Sequence, residues 1–190
     1  MAYTSSSCSS SFFLLLLLLT IFLSIFSHHH LHPSLFAEAA DPALITGLCK
    51  NTKEPPVCQA CLKNGPSDVP SLAKVATGCA RVTIHSFYDL SSKMARSTPP
   101  GELKDVLDDC AMNSSLAADE LDGLIDLIDS KDYRSAIDYI PSQVNHLVDY
   151  CFNNFYMHPK LTMPKQLYDA AANSDRDLNT ISAILSTLVW

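Results

Sequence analysis

Leu48-Cys49-Lys50-Asn51-Thr52-Lys53-Glu54-Pro55-Pro56-Val57-Cys58 is the stretch on which the fold turns. Two cysteines bracket a run of prolines and polar groups that cannot continue one long helix. Two more, Cys110 and Cys151, stand far apart, each inside a pattern of helical spacing. Four cysteines laid over helical patterns read as a disulfide framework, which persists only in an oxidising compartment. A secreted helical domain stapled in this way is more often a binder than a catalyst.

The start of the chain agrees with export. Residues Phe12 to Phe26 read FFLLLLLLTIFLSIF, without a charge. That run is shorter than the roughly 20 residues of a bilayer span and suits the apolar core of a signal peptide. Ala37-Glu38-Ala39 supplies small residues at the usual cleavage positions. Residues 1–39 are therefore expected to leave as a signal peptide and residues 40–190 to form one secreted domain. A membrane-anchored signal is the alternative, because no Lys or Arg precedes Phe12 and the stretch from Ser27 to Ala39 is long. Cys8 would leave with the leader, and so would His28, His29, His30 and His32, a metal-like tract beside the cleavage site. No metal or cofactor is expected in the mature domain.

Once Glu38 is gone, 13 basic residues face 19 acidic ones, a net charge of −6. Nucleic acid and anionic membranes need basic surface, so neither is an expected partner. With five glycines and 8% aromatic residues, the chain is poor in the turn residues of a β-sandwich. Helical spacing dominates instead. Leu72, Val75, Ala76, Cys79, Val82, Thr83, Phe87 and Leu90 recur at threes and fours, until Pro99-Pro100-Gly101 stops the helix. Leu103, Val106, Leu107, Cys110, Leu116, Leu121, Leu124, Ile125 and Ile128 form a second stripe. Asp119, Glu120, Asp122 and Asp126 fall off that face and read as a solvated side. After a break at Ser130-Lys131-Asp132-Tyr133 comes a third helix with Ala136, Ile140, Val144, Leu147, Val148 and Cys151 inward and a kink at Pro141. Phe155 to Pro164 reads as a loop, and Ser174 as the cap of a last helix carrying Leu178, Ile181, Ile184, Leu185 and Leu188. The expected fold is all-α, an antiparallel four-helix bundle preceded by a cysteine-clipped helical arm.

Catalytic signatures are missing: there is no Gly-x-Ser-x-Gly elbow, no His-Glu-x-x-His helix and no phosphate-cradling glycine loop. His85, His146 and His158 are scattered, and His146 stands five residues before Cys151, on another helix face. No catalytic residue is assigned, and no enzyme activity is expected.

The ordered pieces resemble the plant invertase and pectin methylesterase inhibitors. They are Leu48-Cys49-Lys50-Asn51-Thr52 with Cys58, Leu103 through Leu107-Asp108-Asp109-Cys110, Lys131-Asp132-Tyr133 ahead of Cys151-Phe152, and the apolar terminal helix. The resemblance implies an N-terminal helical hairpin on a four-helix bundle, with disulfides Cys49–Cys58 and Cys110–Cys151. Cys61 and Cys79 are additional. Cys61 could instead be the second framework cysteine, giving Cys49–Cys61; a third bridge Cys61–Cys79 and a buried Cys79 thiol are further alternatives, since six cysteines allow fifteen pairings. Met112 and Ser114 stand where members often carry an acidic and an aromatic residue.

The implied mechanism is steric: a rigid 1:1 partner covers the carbohydrate cleft of a pectin methylesterase or an acid invertase in the cell wall, or of an invertase in the vacuole. Inhibitors of invertase present a Pro-Lys-Phe loop between bundle helices. Lys131, Tyr133 and Arg134 are the candidate target contacts here, and without that tripeptide the reading leans to pectin methylesterase. Asn113-Ser114-Ser115 is a glycosylation sequon. A secreted binding or carrier protein without an enzyme target is the other class, although the adjacent Cys-Cys pair of small plant lipid carriers is missing.

Overall fold

The structure, a computed structural model of the chain, describes residues 40–189. The expected signal peptide and its histidine tract lie outside the described residues. Helix α1 runs Pro42–Cys49 and α2 Pro55–Leu62. Both open on proline, whose missing N–H costs nothing in a first turn. Asp41 caps α1 by accepting from the Ala43 N–H at 2.8 Å. Between the two helices the polar stretch Lys50 to Glu54 turns the chain into a hairpin.

Four long segments follow. Helix α3 spans Val69–Ser97, capped by Asp68, which accepts from the Ser71 N–H at 2.9 Å. Helix α4 spans Glu102–Asp129 and begins after Gly101, whose φ of +147° few other residues tolerate. The third segment is composite: α5 (Tyr133–Tyr139), a π-helical stretch Ile140–Asn145, and α6 (His146–Met157). Pro141 has no N–H to give an α-helical ladder and its ring crowds the preceding turn, so the widened turn absorbs the expected kink. Helix α7 spans Lys165–Leu185 and ends in a 3₁₀ turn, Ser186–Leu188.

Helix α3 lies against α4 on one side and α7 on the other, and α4 packs on α6, which closes a four-membered bundle. Hairpin helix α1 rests on α7, and α2 on α3. Leu72, Ile84, Phe87, Leu107, Leu121, Leu124, Ile140, Val148, Leu178 and Ile181 fill the centre at 0–1% exposure. Each such side chain stabilises the fold by about 1.5–3 kcal/mol relative to exposure. Alanines 73, 76, 80, 117, 118, 136 and 171 are buried among them, small enough to let the helices approach closely.

Three details differ from the expectation. The inward face of α3 is rotated, running through Ala73, Ala80, Ile84 and Ser91, which leaves Val82 66% exposed; on α4 Leu116 is 46% exposed. Small buried alanines and hydroxyls mark those faces better than the larger apolar residues did. Helix α6 continues through Phe155, which plugs the core, so the loop begins only at His158. Helix α7 starts nine residues before Ser174. Ser174 is buried inside it, and its hydroxyl donates to the Ala170 carbonyl rather than capping a terminus.

Candidate functional site

The turn between α4 and α5 forms one tip of the bundle. Here α4 ends in a left-handed cap: the Lys131 N–H donates to the Ile128 carbonyl at 3.1 Å and the Asp132 N–H to that of Leu127 at 3.0 Å. Lys131 holds a φ of +61°, a position that usually belongs to glycine. Asp132 caps α5 at once, accepting from the Ser135 N–H at 3.2 Å. Two capping motifs back to back hold the turn in one shape, with the side chains of Lys131 and Arg134 exposed. Tyr133 differs: it is half-buried and packs against the core. Of the three candidate contacts, the turn therefore presents two cations and retains the aromatic ring as an anchor.

Beside this turn lies a cleft of about 670 Å³ lined by Asp126, Leu127, Ser130, Ser135, Asp138 and Tyr139. The Tyr139 hydroxyl donates to Glu120 on α4. That hydrogen bond to the carboxylate, and then burial, push the phenol up to about 12. Gly123 makes the arrangement possible, since a Cβ there would come within 2.6 Å of the Tyr139 oxygen. Asp119, Asp122 and Asp126 of α4 are exposed as expected, whereas Glu120 is half-buried; the acidic face also ties α4 to α3. Arg81 meets Asp122 at 2.5 Å and Lys74 meets Asp129 at 2.7 Å.

The six cysteines pair as Cys49–Cys58, Cys61–Cys79 and Cys110–Cys151. The first closes the α1–α2 hairpin, the second joins α2 to α3, and the third joins α4 to α6. Cys151 is thus oxidised and buried, while His146 is exposed, so these two residues do not form a Cys–His pair. His85 is exposed, and His158 sits with one ring nitrogen 2.7 Å from the Asn154 carbonyl. No group of three metal-ligating side chains occurs among the described residues.

Asn113 is 8% exposed, and its Nδ2, the atom a glycan would occupy, donates to the Asp109 carbonyl at 2.9 Å. In the folded helix the sequon asparagine is therefore largely covered. Ser114 is fully buried and bonded to the Cys110 and Ala111 carbonyls, whereas Met112 is 56% exposed. Of the two departures on α4, only Met112 bears on a partner.

Sequence reasoning missed an aromatic surface on α6 and α7. Tyr156 is 83% exposed, Met157 73% and Tyr168 54%, and Tyr168 meets Phe152 edge-on at 5.4 Å between ring centroids. The signal was present: one more turn of helical register after Cys151 sets Phe155 inward and Tyr156 outward. Lys53 on the hairpin turn reaches Asp175 of α7 at 2.8 Å. Asp149 lies near them, its carboxyl raised above the usual range by partial loss of solvent and by the Asp175 charge, against Lys53 and His146.

The pattern of one family, described as plant invertase/pectin methylesterase inhibitor, matches residues 43–181. "Cell wall / vacuolar inhibitor of fructosidase 2" of Arabidopsis thaliana is 29% identical over 161 residues, spanning 80% of this chain and 87% of that protein. A mutant form A of a pectin methylesterase inhibitor from Arabidopsis superimposes with a TM-score of 0.62 at 13% identity, over 75% of this chain and 95% of that one. A pectin methylesterase inhibitor from Arabidopsis thaliana does so with a TM-score of 0.57 at 14% identity, over 79% and 99%. At such identities the two structures speak for the fold alone.

Proposed function

We propose that this chain, which belongs to the plant invertase/pectin methylesterase inhibitor family, is exported and blocks a cell-wall or vacuolar fructosidase. It is a non-catalytic, inhibitor-type protein. The observation that carries the target is the likeness to the fructosidase inhibitor, which extends over most of both chains. The geometry supports a steric mode: two exposed cations on a doubly capped turn, backed by a bundle stapled through Cys110–Cys151. A turn already held in its bound shape has little ordering cost when it enters an active-site cleft. The reading includes removal of residues 1–39, a 1:1 complex, and an extracellular or vacuolar site of action. The relative's description as a cell wall and vacuolar inhibitor supports that location.

Pectin methylesterase is the second reading, favoured by one observation. The turn reads Ser130-Lys131-Asp132-Tyr133-Arg134, without the Pro-Lys-Phe loop of invertase inhibitors, and its aromatic residue is half-buried instead of displayed. A tripeptide is a small part of an interface of standard size, so the whole-chain likeness weighs more.

The test is a titration of the oxidised protein against a plant acid fructosidase and a plant pectin methylesterase, at mildly acidic and neutral pH. Stoichiometric loss of fructosidase activity alone is expected. Loss of esterase activity alone would establish the second reading, and loss of neither would sink inhibition. The Lys131→Ala/Arg134→Ala variant should keep its far-ultraviolet spectrum and bind its target about 10- to 100-fold more weakly.

A further inference from the structure

We infer that Cys61–Cys79 is a thiol–disulfide exchange site, open to dithiol reductants in the folded protein, through which the hairpin's attachment to the bundle is controlled. The observation is a contrast among three bridges. Cys110 and Cys151 are 0% exposed, as is Cys49, and Cys58 is 2% exposed. Cys61 and Cys79 are each partly exposed. Both residues line an open groove of about 340 Å³ between α2, α3 and α7, and although Cys58 also borders it, only 2% of Cys58 is exposed. An attacking thiolate must approach one sulfur of a disulfide, so access decides which bridge reacts without unfolding.

The groove also shows why this bridge matters mechanically. Ala60 on α2 and Ala76 on α3 both line this groove, and such small side chains contribute little noncovalent contact between the two helices there. Cys79 lies ten residues into α3, about 15 Å from its start. Bridging it to Cys61 therefore folds α2 back along the first turns of α3, with the two Cα atoms 6.3 Å apart. Apart from the bridge, the hairpin is held by buried Leu62 at the end of α2 and by two surface ion pairs. Lys53–Asp175 and Arg176–Glu54, at 2.8 and 3.4 Å, are ion pairs with exposed members, worth little in water. Ile45 and Leu48 of α1 are buried and would keep the hairpin docked for most of the time. Reduction thus raises the frequency of opening without dissolving the bundle, whose own bridge is buried.

The chemistry balances with a dithiol as the reductant. Its thiolate attacks one sulfur of the bridge, forms a mixed disulfide and expels the other cysteine as a thiolate, which takes up a proton. The second thiol of the reductant loses its proton, displaces the remaining cysteine and closes the reductant's own disulfide. Two electrons pass to the protein, and both cysteines end as thiols. The Cys61 sulfur lies 3.9 Å from the Val75 carbonyl, an acceptor within reach of the S–H that reduction creates.

The test uses the full chain made in an oxidising secretory host, treated with graded dithiothreitol, quenched by alkylation and mapped by mass spectrometry. Cys61 and Cys79 should become alkylated at least about tenfold faster than the other four cysteines. At that stage, amide exchange across α1 and α2 should speed up on the order of 100-fold, the factor expected on releasing a loop of this length, while α4 and α6 keep their protection. Loss of all three bridges together, prior loss of another bridge, or unchanged hairpin exchange after selective reduction would each overturn the inference. The Cys61→Ser/Cys79→Ser variant gives a second arm. It should show the fast hairpin exchange without reductant, and slow exchange in that variant would equally overturn it. Neither arm involves a target enzyme, so both stand apart from the inhibitory reading.

Discussion

Lys131 carries a conformation that its side chain does not favour. A non-glycine residue in the left-handed region costs about 1 kcal/mol, and here the cap hydrogen bonds to Ile128 and Leu127 hold it there. Lys131→Gly should therefore raise the unfolding free energy by about 1 kcal/mol in urea titration, while inhibition weakens because the ammonium is lost. A gain in both properties would remove Lys131 from the contact surface. Tyr139 is the other informative residue. Its pKa is raised from 10.0 to about 12, first by the hydrogen bond to Glu120 and then by burial. A group raised in this way contributes stability that is complete below 10.0 and is lost as pH rises through about 12. Ultraviolet titration should show one phenol ionising after the other tyrosines, and Tyr139→Phe should remove that late step. If the step survives in the variant, another tyrosine is responsible.

Among the elements, helix ends separate real caps from apparent ones. Asp132 closes a hydrogen bond at the start of α5, and Asp132→Ala should cost about 1 kcal/mol. Ser174 has a cap's residue type but sits buried inside α7, where its hydroxyl serves only the Ala170 carbonyl. Ser174→Ala should shift stability by no more than about 0.5 kcal/mol, because alanine's helix propensity offsets the lost hydrogen bond. Equilibrium unfolding of both variants checks the pair, and equal costs would contradict the placement of the α7 start. The composite third segment follows the same logic: Pro141 interrupts the ladder but not the direction, so Ala136, Ile140, Val144, Val148, Cys151 and Phe155 still line one inward face.

For the whole molecule, acidity acts in two opposing places. Asp68, at the start of α3, has its pKa lowered by hydrogen bonds from Ser71, so its contribution is present above 3.8 and is lost as pH falls through the folded value. Asp149 is raised by partial desolvation and the Asp175 charge. Its contribution is complete below 3.8 and is lost as pH rises through its folded value. Asp149→Asn should therefore be more stable than the parent at neutral pH, by less than about 1 kcal/mol given its exposure, and the difference should vanish on acidification. Thermal melts of both proteins across the acidic range test the sign; a gap that widens on acidification would reverse it. Lys53 and Asp175 tie the hairpin turn to α7 within this cluster, so the two halves of the domain share one electrostatic neighbourhood.

Helical class, the break before Tyr133, the kink at Pro141 and the exposed aspartates of α4 were all legible in the chain. Each rests on local chemistry: apolar spacing, a proline without an N–H, a glycine or aspartate where a helix must stop or start. Family membership was legible too, because it lies in ordered short motifs. Local rules could not decide which of two neighbouring helix faces is buried, as Val82 and Leu116 illustrate, because small residues can pack inward while larger ones face water. Nor could they exclude a helix start at Ser174 or judge access to Asn113, since both depend on what lies alongside. Cysteine pairing belongs with these. Cys61 meets Cys79 only because α2 folds back onto α3, and which bridge stays open to solvent is decided by the alanine-lined groove between helices remote in sequence.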